Sequence, residues 1–183
     1  MNCRIREAKI LYRILDQRLS RLFNAGPSAG FAGRLLGLER EALRVAPDGY
    51  ISQVPHPPTL GSALTHPWIT TDYSESLLEF ITPPLSGPGE VLRFLDEVHR
   101  FACRQIGDEL LWSASMPCIL AGEASIPIAE YGRSNLGRMK HVYRCGLAWR
   151  YGRIMQVIAG IHFNFSLPDS FWVAFQQQEG DRR

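Results

Sequence analysis

Between Met155 and Leu167 the chain alternates with a period of two. Val157, Ala159, Ile161, Phe163, Phe165 and Leu167 fall on one side, and Ile158, Gly160, His162, Asn164 and Ser166 on the other. Successive side chains point to opposite faces in an extended strand. The spacing therefore predicts a β-strand over this segment, with its apolar side in a core. The second side is unusual: a solvent-facing strand favours Lys, Glu and Thr, whereas Gly, His, Asn and Ser in a row read as the floor of a site. Such a strand needs partners, which constrains the whole chain to a sheet-containing fold.

The sequence supplies those partners. Gly37 to Val45 reads as a strand, Pro47-Asp48-Gly49 as a turn, and Tyr50-Ile51 as a returning strand. Residues 52–68 look like a loop. Ile69 to Tyr73 and Leu77 to Thr82 resemble two extended pieces around a bend, and Leu110 to Trp112 begins another strand. Helical spacing marks about 5–24 (Ile5, Ala8, Leu11, Ile14, Leu15, Leu19), where packing against the domain is expected. A second helix is expected over about 89–106, stopped by Gly107, and a third over about 135–150. Residues 113–135 read as loop. Strands and helices mix without regular βαβ alternation, so the fold class is α+β, a largely antiparallel sheet with flanking helices.

Composition narrows the function classes. The 183 residues, 45% hydrophobic and 21% charged, suit one ordinary globular domain rather than a disordered chain. A formal charge of +2 gives no basic field for nucleic acid. No window reaches the ~18–20 apolar residues of a membrane span, and the basic N-terminus lacks the apolar core of a secretory leader. Cys3, Cys103, Cys118 and Cys145 form no CxxC pair and read as incidental thiols of a reducing compartment. The expected location is cytoplasmic, with no nucleic-acid and no membrane partner.

The chemistry concentrates on acids. Glu39 and Glu41 are two apart on one strand, so both carboxylates share a face, roughly 7 Å apart. Arg40 points the other way, and a divalent cation could supply the compensation; taken alone, the pair reads first as a solvated strand face with paired surface charges. Asp72 and Glu79 add a second group. Glu79 stands between Leu77-Leu78 and Phe80-Ile81, where an unpaired carboxylate is costly to desolvate. With His162 they make an oxygen-dominated set that suits Mg²⁺ or Mn²⁺ better than zinc. Such acid-and-metal groups neutralise nucleotide phosphates in phosphoryl transfer. Arg133, Arg138, Lys140, Arg144, Arg150 and Arg153 form a basic stretch that could face a carboxylate or phosphate, or simply water. No P-loop, Rossmann glycine motif or nucleophile elbow is present.

At these residues the sequence closely resembles the proteobacterial type of glutamate–cysteine ligase. The resemblance is carried by Gly37-Leu-Glu-Arg-Glu-Ala-Leu-Arg-Val, Leu60-Gly-Ser-Ala-Leu-Thr-His-Pro and Ile69-Thr-Thr-Asp-Tyr-Ser-Glu-Ser-Leu-Leu-Glu-Phe-Ile-Thr-Pro. Tyr131-Gly-Arg-Ser-Asn-Leu-Gly-Arg-Met-Lys, Tyr143-Arg-Cys-Gly-Leu and Gly160-Ile-His-Phe-Asn-Phe-Ser-Leu-Pro follow in order. These motifs span about 34–172.

What the resemblance implies is specific. The fold would be like the catalytic domain of glutamine synthetase. The activity would be ATP-dependent ligation of the L-glutamate γ-carboxylate to L-cysteine through γ-glutamyl phosphate, the first step of glutathione synthesis. Glu39, Glu41, Asp72 and Glu79 match positions that bind Mg²⁺ at the ATP phosphates, and His162 matches the same metal site. Tyr143 and Tyr73 match the cysteine pocket, and Asn164 is a substrate-binding candidate. Members of the family are several hundred residues long. The expected organisation is therefore an N-terminal helix and linker (1–33), the N-terminal part of the catalytic domain (34–175), and an atypical tail (176–183) marking a truncation, with the C-terminal part of the enzyme as a missing partner. On that expectation the chain alone is weakly active or inactive. Two other readings stay open: a non-catalytic remnant that binds at most a metal or a nucleotide, and a metal-dependent hydrolase.

Overall fold

The structure is a computed structural model that describes residues 12–20 and 31–180. The chain divides into two compact units, residues 36–164 and a smaller one drawn from 1–35 and 165–183.

The larger unit is built on an antiparallel sheet. Its strands are β1 (Leu35–Val45), β2 (Ile69–Thr71), β3 (Leu77–Ile81), β4 (Leu110–Leu111) and β5 (Ile161–Ser166), in the order β2-β3-β1-β4, with β5 also paired to β1. The long β1 is central because each of its edges is used. Residues 39–43 pair with β3, Arg44 and Val45 pair with β4, and the Glu41 N–H donates to Gly160 O at 3.0 Å on the β5 side.

Period-two alternation then sorts the side chains. One face carries Ala42, Ile69, Leu78 and Phe80. Helix α1 (Pro88–Cys103) covers it with Leu95 and Ala102. That helix starts as its sequence dictates, with Pro88 in the first turn and the Glu90 carboxylate accepting from the Gly87 N–H at 3.1 Å. The opposite face carries Leu43, Val45 and Leu77 in a second core with Ile51, Tyr73, Ile126, Val157 and Ala159. Helix α2 (Asn135–Tyr151) packs there through Leu147 and Ala148, and its first turn is capped by the Ser134 hydroxyl accepting from the Gly137 N–H at 3.1 Å.

Arg44 is fully buried and ion-paired to Glu109 at 2.6 Å. It also donates to the carbonyls of Val54 (2.6 Å) and Glu75 (3.2 Å), and the Ser52 hydroxyl donates to Glu109. The network ties β1 to the 52–60 loop.

In the smaller unit residues 12–20 are helical, with Ile14, Leu15 and Leu19 exposed rather than packed. The remainder of the helix expected over 5–24 lies outside the described residues. Helix α3 (Asp169–Gly180) buries Phe171, whose ring meets Phe31 at 5.7 Å between centroids. Among the described residues no helix is long and apolar enough to cross a membrane.

The α+β class, the antiparallel sheet, the paired pieces around the 72–76 bend and the helix over 135–151 follow the sequence reading. Three expectations need correction. The strand expected over 155–167 is shorter: Ile154–Val157 form a 3₁₀ turn and β5 begins only at Ile161. Val157 and Ala159, before the strand, enter the core, while Ile161 and Phe163 in β5 stay 66% and 63% exposed. The returning strand after Pro47-Asp48-Gly49 is a single bridge from Ile51 to Val45. Helix α1 ends at Cys103 rather than near 106, with Arg104 as its cap, and Gly107 takes a positive φ in the turn beyond.

Candidate active-site face

The register of the sheet assembles the acids. Leu43 pairs with Leu77, and one step along Glu41 pairs with Glu79. On this face the core therefore gives way to carboxylates within one pair of residues. Glu39 follows on β1, opposite Ile81, and Thr70 of β2 stands opposite Glu79 on its other side.

Strand β5 and Gly160, the residue just before it, approach β1 from the other edge and hold both of its acids. The Gly160 N–H donates to Glu41 Oε2 at 2.7 Å. His162 Nδ1 lies 3.3 Å from Glu39 Oε2, and Asn164 Nδ2 donates to Glu39 Oε1 at 2.8 Å. The small polar side of the alternating segment thus faces Glu39 and Glu41, as a site floor would.

Asp72 sits where β2 turns into the bend. Its N–H donates to Leu77 O at 3.0 Å. Its carbonyl accepts from the Tyr131 hydroxyl at 2.9 Å and from Arg144 Nε at 2.5 Å. The Arg144 guanidinium also lies over the Tyr131 ring, 4.7 Å from its centroid. Arg144, which could face a carboxylate or phosphate, has its Nε on a backbone carbonyl and its Nη1 on Lys140 O at 3.1 Å. Arg153 likewise donates to Ile126 O at 2.9 Å.

The electrostatics follow from this crowding. Burial pushes the Glu79 carboxyl up to about 7, and the neighbouring Asp72, Glu39 and Glu41 add to the effect while His162 opposes it. Burial also raises Glu41, against the stabilising Gly160 N–H. His162 is raised in turn, chiefly by its hydrogen bond to Glu39. Among the described residues no hydrogen bond reaches the carboxylates of Asp72 or Glu79. Four acids and an imidazole thus share one electrostatic neighbourhood, and the carboxylates of two of the acids accept no hydrogen bond.

That donor set fits a hard divalent cation, which would relieve the mutual repulsion raising Glu79. Among the described residues no three of these side chains close into a ready-made coordination shell. Tyr143 lies apart, exposed on α2, and Tyr73 is buried in the core with its hydroxyl unpartnered.

Two supporting residues escaped the sequence reading. Glu75 accepts from the His56 N–H (2.9 Å) and the Glu130 N–H (2.7 Å), pinning two loops to the bend that carries Asp72. Tyr131 reaches the carbonyls of both Thr71 (2.6 Å) and Asp72. The one available signal was a carboxylate set between Ser74 and Ser76, just before the apolar Leu77-Leu78. Tyr131 also lines a cleft of about 500 Å³ with Arg133, Arg138 and His141.

Fold and site together define an α+β protein whose antiparallel sheet gathers acidic side chains on one face. The family model for glutamate-cysteine ligase matches residues 19–183, beyond the motif-bearing 34–172 at both ends. The chain belongs to the glutamate–cysteine ligase family. It is 57% identical over 167 residues to a glutamate–cysteine ligase of Alcanivorax borkumensis, covering 91% of this chain and 32% of that protein. It is 58% identical over 168 residues to one of Pseudomonas putida, covering 91% and 31%. Among solved structures it resembles the Francisella tularensis glutamate–cysteine ligase in complex with AMP, with TM-score 0.77 and 41% identity over 80% of this chain and 30% of that one. A bifunctional glutathione synthetase from Pasteurella multocida gives TM-score 0.74 and 31% identity over 93% and 21%. The chain spans about a third of the length of the curated relatives it matches.

Proposed function

We propose that this chain carries the metal-binding face of an ATP-dependent ligase that joins the L-glutamate γ-carboxylate to the L-cysteine amine. The observation behind this reading is the sheet register that sets Glu41 against Glu79 and leaves Glu79 raised to about 7 by burial and three neighbouring acids. Family membership and the AMP bound to the Francisella tularensis relative support a nucleotide as the charged ligand this face serves.

Glu39, Glu41, Asp72 and Glu79 would hold Mg²⁺ or Mn²⁺, with His162 beside Glu39. The cation, when bound, offsets phosphate charge during transfer. The chain's own part is placement. Gly160, His162 and Asn164 fix the β1 acids, while Tyr131 and Arg144 fix the backbone at Asp72. In the reaction one glutamate γ-carboxylate oxygen attacks the ATP γ-phosphorus and ADP leaves; the cysteine amine then attacks the acyl phosphate carbonyl and phosphate leaves. Tyr143 on α2 and Tyr73 in the adjoining core are the candidates for the cysteine side, and Asn164 lies at the edge of the same face. The complete reaction would also draw on the part of the enzyme that the longer relatives carry beyond this match.

The test is a chimera in which residues 34–175 replace the matched segment of the Pseudomonas putida ligase. Glutamate- and cysteine-dependent ADP release is expected, and its loss on Glu39→Gln or Glu79→Gln. A folded chimera without that activity, or one indifferent to both substitutions, would refute the proposal.

A further inference from the structure

The four acids are not held alike. Asp72 and Glu79 have free carboxylates, whereas each acid of β1 is gripped from the β5 side. Within β5 the side chains of His162 and Asn164, two apart, point to one face. Gly160 gives a backbone N–H to Glu41, and His162 and Asn164 reach opposite oxygens of Glu39. A carboxylate with one partner can still swing about its last torsion; one with a partner on each oxygen has its plane set. Of the two partners the Asn164 amide is the shorter, at 2.8 Å against 3.3 Å. An amide nitrogen only donates, so it keeps this role at every pH at which Glu39 is charged.

We infer that Asn164 is a positioning residue: its side-chain amide fixes the plane of the Glu39 carboxylate so that the free oxygen lone pairs face a divalent cation held with Glu41, Asp72 and Glu79. This rests on the metal reading above. It gives Asn164 a task distinct from touching substrate. Groups that orient ligands in this way typically carry about 10–100-fold in metal affinity.

Two measurements on the 183-residue chain separate the inference from the reading beneath it. The first is Mn²⁺ affinity by electron paramagnetic resonance, with Mn²⁺ as the only ligand. Asn164→Leu, of similar shape but without a donor, is expected to weaken binding about tenfold. Asn164→Gln, which keeps the amide, should recover part of the loss. Wild-type affinity in Asn164→Leu would overturn the inference. The second is a metal-free double-mutant cycle in urea with Glu39→Gln and Asn164→Leu. Non-additive midpoints are expected, because the amide has its charged acceptor only while Glu39 is present. Additive midpoints would overturn the positioning role whatever the metal does. Coupled midpoints in a chain that binds no Mn²⁺ would keep the Asn164–Glu39 contact and overturn its metal purpose together with the metal reading.

Discussion

Glu79 offers the sharpest physical test because its surroundings, without a cation, work against its charge. Its carboxyl is pushed from an ordinary 4.5 up to about 7, first by burial and then by Asp72, Glu39 and Glu41. The folded chain therefore keeps this proton over a window in which the unfolded chain releases it. Stability should fall as pH rises from about 4.5 to about 7. That gap corresponds to about 3 kcal/mol, and solvent screening at an open, half-buried site reduces it to about 1–2 kcal/mol. Glu79→Gln removes the charge and keeps the shape. In chelator, the variant should match wild type near pH 4.5 and exceed it by about 1–2 kcal/mol at pH 8. Saturating Mg²⁺ should close the difference by stabilising wild type more than the variant. Urea denaturation at the two pH values, with and without Mg²⁺, reads all four states. Identical pH dependence for both proteins would refute the electrostatic reasoning, and an equal Mg²⁺ gain would remove Glu79 from the metal site.

Three further outcomes test the scaffold. Glu109→Ala leaves the fully buried Arg44 guanidinium without its 2.6 Å partner and should cost about 3–5 kcal/mol in urea denaturation. Gly137→Ala would gain about 1 kcal/mol in an ordinary helix, but here the added methyl meets the Tyr131 carbonyl oxygen, so calorimetry should show a lower Tm. Tyr131→Phe removes the donor to the Thr71 and Asp72 carbonyls and should cost about 1–3 kcal/mol by denaturation, with weaker Mn²⁺ binding if that hold positions Asp72.

The site was more legible in the sequence than the fold around it. Glu39 and Glu41 declare a shared face by spacing alone, and Glu79 declares its cost by the Leu77-Leu78 and Phe80-Ile81 that flank it. That Glu41 stands opposite Glu79 is a matter of strand register, which no local pattern encodes. The apolar side of β5 misled for a related reason. Alternation shows that Ile161 and Phe163 face away from His162, but not what lies over them, and α1 covers β3 and β1 instead. The basic stretch hid its structural contacts: the backbone carbonyl at 2.5 Å and the Tyr131 ring that meet Arg144 come from residues distant in sequence. Glu75 was overlooked because its partners, the N–H groups of His56 and Glu130, come from loops far off in sequence.

The divalent cation proposed above would sit on the open face of this sheet, between β1 and the β2–β3 bend. Crystals of the chain grown with Mn²⁺ and measured at the manganese absorption edge test it most directly. The account predicts an anomalous peak within coordination distance, about 2.0–2.3 Å, of carboxylate oxygens from both β1 (Glu39 or Glu41) and the bend or β3 (Asp72 or Glu79). A well-ordered face with no anomalous peak, or manganese bound only elsewhere on the chain, would contradict it.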